Sequence, residues 1–263
     1  MISLEITDQI AYVTFCRVEK RNALSFLMFK QLDNIIKKLK KNRQIRAVIL
    51  QAQGEDFCTG LDVKSVMAKP AHIFSLLFKW LPGNQNLAQR VTLGWQQLNV
   101  PVIAAIQGRC WGGGMQIVLG ADFRIATADA SFAVMEAKWG LCPDMGASLL
   151  IGGLMKADDY LHLAMSADPI CAQQAFDSGL ITAISNSPLK AAQALVERMT
   201  ERSPDTLAAI KRLNNTAYRY HNRRLLAKET LSQIRLLLNK NTRTAIYNAS
   251  HDDKHEYRAR KHW

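Results

Sequence analysis

The stretch from residue 100 to residue 127, VPVIAAIQGRCWGGGMQIVLGADFRIAT, constrains the fold more than any other part of the chain. It reads as a buried apolar strand, then three consecutive glycines (Gly112, Gly113 and Gly114), an apolar helix and a second strand. Glycine costs about 1 kcal/mol against alanine inside a helix, so three in a row where a helix begins need a compensating reason. One such reason is close packing of the helix on a sheet. Another is approach of a ligand to bare backbone.

Strand and helix alternate elsewhere too. SLEITDQIAYVTFCR places apolar residues at every second position on either side of Thr7 to Gln9, a hairpin pattern. From Ser25, the spacing of Leu27, Phe29, Leu32, Ile35, Ile36 and Leu39 predicts an amphipathic helix that ends on the basic KKLKKNR. RAVILQAQG reads as a buried strand, EDFCTGLDVKSVM as a turn and helix start, and Leu87 to Leu98 as a helix. FRIAT and SFAVM are short strands about the turn ADA, and almost everything from Met145 onward reads as helical. The expected class is α/β, with a core over residues 1–190 and a helical C-terminal region over 191–263. Its last stretch, HDDKHEYRARKHW, has too few apolar residues to bury itself and is expected to be disordered.

The 263 residues, 48% hydrophobic, are enough to bury one substantial core. The N-terminus lacks the basic start and apolar run of a secretory leader, and no later stretch is a clean apolar run of bilayer-spanning length, so a cytoplasmic protein with no membrane partner is expected. Five cysteines without a CxxC pair suggest reduced thiols rather than disulfides or a thiolate metal site. The formal charge of +12 suits an anionic partner: nucleic acid, a membrane surface or a phosphate-bearing small molecule. KKLKKNR and KRLNNTAYRYHNRR would serve nucleic acid, but they read more simply as solvated helix faces. His251 and His255 likewise read as solvated, no metal site is expected, and neither Ser148 nor Ser166 lies in a GxSxG elbow.

Two strand-to-helix junctions carry the chemistry, FCTGLDVK and IQGRCWGGGMQ. If they lie side by side, the N–H groups of Leu61 and Gly113 converge on one oxygen as an oxyanion hole, at the start of a helix whose dipole favours negative charge. Such donors each lower a barrier by about 3 to 4 kcal/mol when charge develops on the bound oxygen. SFAVMEAKWGLCPDMG then supplies Glu136 and Asp144 among apolar residues that would raise a carboxyl pKa. Facing each other across a flat substrate, they could withdraw a carbon-bound proton and return it at another carbon. Taken alone, the same residues also fit a helix cap (Asp144, from Met145) and an ion pair (Glu136).

Together FCTGLDVKSV, PVIAAIQGRCWGGGMQIVLGADFRIATADASFAVMEAKWGLCPDMG and DPICAQQAFDSGLI resemble the crotonase (enoyl-CoA hydratase/isomerase) superfamily. The resemblance implies a spiral of ββα units with a helical C-terminal region, assembled as a homotrimer or hexamer. It implies an acyl-CoA substrate, with coenzyme A as its carrier part and no permanently bound cofactor; nucleic acid is not an expected partner. By motif position the oxyanion-hole amides fall on Leu61 and Gly113. EKRNAL and LDVK put Lys20, Arg21, Ala23, Asp62 and Lys64, with Leu61 and Gly113, near the coenzyme. Family hydratases pair the glutamate matching Glu136 with a second glutamate where this chain has Gln116, whose amide exchanges no proton near neutral pH. The Glu136 and Asp144 pair instead resembles the dienoyl-CoA isomerase branch, although that branch usually has an aspartate where Gln116 stands. An isomerase using Leu61, Gly113, Glu136, Asp144 and Gln116 is therefore expected, with a hydratase or a catalytically silent scaffold as alternatives.

Overall fold

The computed structural model describes residues 1–217 and 222–256. At the N-terminus β1 (Ile2–Thr7) and β2 (Ile10–Phe15) pair antiparallel, Ile2 opposite Phe15 and Thr7 opposite Ile10. Asp8 and Gln9 between them take φ of 49° and 65°, the positive pair that a two-residue hairpin requires. Ser25 caps α1 (Phe26–Lys41) by accepting the Met28 N–H, satisfying a donor that has no partner inside the helix. The buried stripe runs through Met28, Phe29, Leu32, Ile35, Ile36 and Leu39. Leu27, expected on that stripe, is exposed because Met28 takes its place.

The chain continues through β3 (Ala47–Ala52), α2 (Val63–Met67), α3 (Pro70–Leu77), α4 (Leu87–Gln96), β4 (Val102–Ile106) and β5 (Arg109–Trp111). Next come α5 (Gly113–Leu119), β6 (Phe123–Ala126), β7 (Ser131–Ala133), α6 (Ala147–Leu150) and α7 (Ala157–Ser166). The C-terminal part holds β8 (Ile170–Cys171), α8 (Ala172–Asp177), β9 (Ala183–Ile184), α9 (Pro188–Thr200), α10 (Pro204–Ala217), α11 (Asn222–Leu237) and α12 (Lys240–Ser250). The short strands β8 and β9 lie in a region read from the sequence as almost wholly helical, because each is held by a strand of an earlier unit.

A six-stranded sheet runs β1-β2-β3-β4-β6-β9, parallel except for the hairpin, and a smaller sheet runs β5-β7-β8. The central strands are apolar on both faces because both are covered. Val48 and Leu50 of β3, with Val102, Ala104 and Ile106 of β4, join the main core under α1, α4 and α5. Ala47, Ile49, Ile103 and Ala105 face the other way, against Ala192 and Val196 of α9. The expected boundary at residue 190 lies inside α9.

Two buried cations tie later chain to earlier. Arg124 donates from Nε to the Leu180 carbonyl at 2.7 Å and from Nη1 to that of Ala121 at 2.6 Å. Lys211 donates to Asp122 Oδ2 at 2.6 Å and to the carbonyls of Trp95 and Val100. Lys211, the first residue of the KRLNNTAYRYHNRR stretch, is therefore internal, not part of a solvated basic face; residues 218–221 of that stretch lie outside the described residues. In the tail, the rings of His251 and His255 stack on Tyr247 at centroid distances of 4.0 and 4.1 Å, so residues 251–256 fold back on α12, while 257–263 lie outside the described residues. All five cysteines are free: Cys58 and Cys110 are buried, Cys16 and Cys142 half-buried, and Cys171 exposed. Among the described residues no helix is long and apolar enough to cross a membrane.

Candidate active site

The two junctions do lie side by side. The Cys58 N–H donates to the Arg109 carbonyl and the Trp111 N–H to that of Cys58, both at 2.9 Å, which zips the segment before Leu61 onto β5. On the other flank, Leu24 donates to Gly60 at 2.7 Å and accepts from Asp62 at 3.0 Å. Gly60, at φ 95°, passes so close to the start of α5 that a Cβ there would sit 3.2 Å from the Trp111 carbonyl and 3.7 Å from the Gly113 nitrogen. Among the described residues, neither the Leu61 nor the Gly113 N–H has a protein acceptor.

Each glycine of the triplet has its own reason. Gly112 holds φ 49° and ψ −122° at the N-terminus of α5, a conformation that a side chain would strain. A Cβ on Gly113 would come within 2.9 Å of Leu24 Cδ1, and one on Gly114 within 2.6 Å of Cys58 Cβ. Close packing thus accounts for Gly113 and Gly114, and it is this packing that brings the two turns together. Burial pushes the Cys58 thiol up to about 12, so it stays a packing group rather than a nucleophile.

The carboxylates sit on the loop after β7. Glu136 opens a short 3-10 turn over residues 136–139, closed by Gly140 at φ 70°. Gln116 projects from α5, donates from Nε2 to Glu136 Oε1 at 2.5 Å, and accepts the Met145 N–H on Oε1 at 3.1 Å. The Met145 donor must face an oxygen, which turns the amide NH2 toward Glu136. Glu136 Oε2 is buried with no partner among the described residues. Burial raises the Glu136 carboxyl above its ordinary range, against the smaller opposing pull of hydrogen bonds from its own backbone, Gln116 and Met135. The alternative roles do not hold: α6 begins at Ala147 with Gly146 as its cap, so Asp144 caps no helix at Met145, and Glu136 makes no ion pair among the described residues.

The rest of the loop is held by the C-terminal helices, which no sequence motif pointed to. Thr242 Oγ1 of α12 donates to the Gly140 carbonyl at 3.1 Å, and the Cys142 N–H donates to Gln233 Oε1 of α11 at 3.3 Å. Ala245 packs so closely that a Cβ on Gly140 would lie 2.9 Å from its own.

These parts surround one cavity of about 350 Å³. Leu61 and Gly113 lie on its wall with Glu136, Asp144 and Gln233. The remainder is mostly apolar, including Phe29, Val66, Leu76, Trp139, Leu237 and Ile246, the composition of a small-molecule site with a few polar groups. Gln116 is buried behind this wall. Arg21 lines the cavity, whereas Lys20, Ala23, Asp62 and Lys64 do not. Lys20 and Lys64 are exposed and Ala23 is half-buried. Asp62 is engaged internally: it pairs with Arg17 Nη2 at 2.8 Å and caps α2 by accepting the Ser65 N–H at 3.1 Å. Burial alone would raise its carboxyl, but the hydrogen bonds from Arg17 and Ser65 outweigh that and hold it below the ordinary range. Two organisers escaped the sequence reading. Arg17 also donates to the Ala23 carbonyl at 2.8 Å, and buried Asn22 donates to the carbonyls of Gln53 and Asp56, both at 2.8 Å.

Similar proteins share this frame. An enoyl-CoA hydratase from Bacillus halodurans superposes with a TM-score of 0.84 at 21% identity, over 94% of this chain and 99% of that one. An enoyl-CoA hydratase/isomerase from Mycobacterium paratuberculosis gives 0.85 at 18% identity, over 94% and 97%. In sequence, the mouse mitochondrial Delta(3,5)-Delta(2,4)-dienoyl-CoA isomerase is 30% identical over 213 residues, 77% of this chain. The match spans 65% of that relative's own length. A probable enoyl-CoA hydratase of Bacillus subtilis is 28% identical over 224 residues, 83% of this chain and 84% of that one. The Enoyl-CoA hydratase/isomerase family model matches residues 5–247. With that match spanning nearly the whole chain, and with the fold shared throughout, the protein belongs to the enoyl-CoA hydratase/isomerase family, the crotonase superfamily.

Proposed function

We propose that the protein is an acyl-CoA isomerase that moves a double bond along an enoyl or dienoyl thioester. The observation that carries this reading is the double engagement of Gln116, between Glu136 Oε1 and the Met145 N–H. A hydratase of the two-glutamate type needs a second carboxylate to activate water where this amide stands. Here the amide has no acidic proton, and its oxygen is occupied by a backbone donor. What remains in the cavity is one carboxylate from each end of the loop, Glu136 and Asp144, suited to moving a proton between carbons.

In this reading the thioester carbonyl lies between the Leu61 and Gly113 N–H groups. Asp144 removes a proton from carbon, and the electron pair is delocalised onto the carbonyl oxygen, where the two amides hold the enolate. Glu136, whose burial favours the protonated form, gives its proton to a second carbon as the double bond moves. One proton exchange with solvent returns the two carboxyls to their starting charges, so the reaction neither adds nor removes water. Gln116 positions Glu136 and, through Met145, the segment carrying Asp144. The basic excess, with Arg21 at the cavity and Lys20 and Lys64 exposed on the neighbouring segments, suits the phosphates of coenzyme A. Assembly as a trimer or hexamer is part of the same proposal.

Asp144→Ala tests the assignment. Turnover of 3-enoyl and 3,5-dienoyl thioesters should be lost while binding of free coenzyme A stays intact. Unchanged turnover would remove Asp144 from the mechanism.

A further inference from the structure

α3 carries apolar side chains toward both the cavity and the outside, with His72 and Ser75 as its two polar residues. Ile73, Leu76 and Leu77 face the cavity. Phe74 and Phe78, four residues apart and so on one helical face, turn outward and are 67% and 42% exposed; Trp80 and Leu81 follow at 85% and 56%. The aromatic rings form a continuous row, with centroids 5.3 Å apart for Phe74 and Phe78 and 5.6 Å for Phe78 and Trp80. Large exposed apolar side chains in contact with one another mark a surface that meets something.

The charge around this row indicates what it meets. Between Asp62 and Asp122 the sequence contains no aspartate or glutamate. Lys69 immediately precedes α3 and is exposed, and Lys30 of the adjoining α1, exposed with its ammonium 4.7 Å from the Phe26 ring centroid, lines the same groove as Phe78 and Trp80. Asp33, the carboxylate lining the groove beside Phe78 and Trp80, is tied to Arg90 at 2.9 Å and Lys37 at 2.7 Å. Exposed aromatic rings rimmed by lysines match the two layers of a lipid surface: aromatic and leucine side chains at the headgroup–acyl boundary, and ammonium groups among anionic headgroups.

We infer that α3 and the segment over residues 78–81 form a docking surface for an anionic lipid bilayer. Phe74, Phe78, Trp80 and Leu81 enter the interface, and Lys30 and Lys69 contact the headgroups. Docking of this kind is peripheral and needs no spanning helix. It lays the outer wall of the cavity on the lipid, with the inner face of the same helix against the acyl site.

The full chain should be sedimented with phosphatidylcholine vesicles, with and without phosphatidylglycerol. The wild type should bind the anionic vesicles and lose most of that binding in high salt, with Trp80 emission shifting to the blue by comparison with Trp80→Phe. Combined Phe74→Ser and Trp80→Ser should weaken binding by about tenfold or more, and combined Lys30→Glu and Lys69→Glu by about tenfold. Both variants should keep the wild-type particle mass in lipid-free solution. Three results would each overturn the inference: no sedimentation of the wild type, undiminished binding by the serine variant, or a smaller particle for that variant without lipid. The last would make the face a contact between copies of the chain.

Discussion

The two halves of the site are built on opposite principles. The half made by residues 58–63 and 109–116 is backbone: glycine turns zipped together by main-chain hydrogen bonds, with the Leu61 and Gly113 amides as its proposed working groups. The half made by residues 136–146 is side chain: a loop whose carboxylates are aimed by partners on α5, α11 and α12. The first is sensitive to added atoms. The second is sensitive to lost contacts at a distance, and this difference orders the experiments.

Adding atoms to the backbone half should have the largest effect. Gly114→Val would drive methyl groups into Cys58, whose Cβ and Sγ already lie 2.6 and 2.8 Å from where a Cβ would be. Stability should fall by about 3 kcal/mol, read as a lower melting temperature, and the remaining folded protein should be inactive because the two turns are forced apart. A fully active variant of unchanged stability would show that the junction tolerates separation.

Next comes Glu136→Gln, which keeps shape and removes the proton. Turnover should fall by about 1,000-fold. The same variant carries a stability prediction of known sign. A carboxyl raised by burial in the folded state binds its proton more tightly there than in the unfolded chain. Its contribution is therefore present below the unfolded carboxyl range and lost as pH rises through the folded value. Glu136→Gln should consequently gain stability relative to wild type as the pH rises from acid to neutral, measured by denaturant melts at each pH. A parallel pH dependence in the two proteins would mean that Glu136 is not strained by its site.

The smallest expected effect is remote. Gln233→Leu removes the acceptor of the Cys142 N–H while keeping an apolar contact in the cavity. Turnover should drop by about tenfold with KM little changed, because the loop loses its aim rather than its pocket. Gln233→Glu, which keeps the acceptor oxygen, should recover part of it. Equal loss in both variants would assign Gln233 a packing role only.

The backbone half was also the legible half. Glycines at 60 and 112–114, and apolar strands ending at both junctions, are local signals, because main-chain geometry is set by neighbours in sequence. Period-two and period-3.6 patterns likewise announced the hairpin and α1, and continuous apolar runs announced β3 and β4. Leu27 misled because an apolar residue beside the stripe looks like part of it. The side-chain half was legible only as residue types. Glu136 and Asp144 stood out among apolar neighbours, but nothing local says that Gln116 would bridge to Met145, or that Gln233 and Thr242 would reach back across about 100 residues of chain. Asp62 shows the converse error. A motif position suggested a coenzyme contact, yet its carboxylate is taken by Arg17 and the start of α2, a partnership set by three-dimensional proximity.

In the proposed reaction this cavity moves a proton between carbons without activating water. The direct measurement incubates the enzyme separately with 3-enoyl, 3,5-dienoyl and 2-enoyl thioesters of coenzyme A in deuterated water and follows the products by mass. The expected product is a shifted double bond of unchanged composition apart from deuterium at carbon, with no 3-hydroxyacyl product from the 2-enoyl thioester. Rapid formation of that water adduct, with the 3-enoyl and 3,5-dienoyl thioesters left untouched, would contradict it.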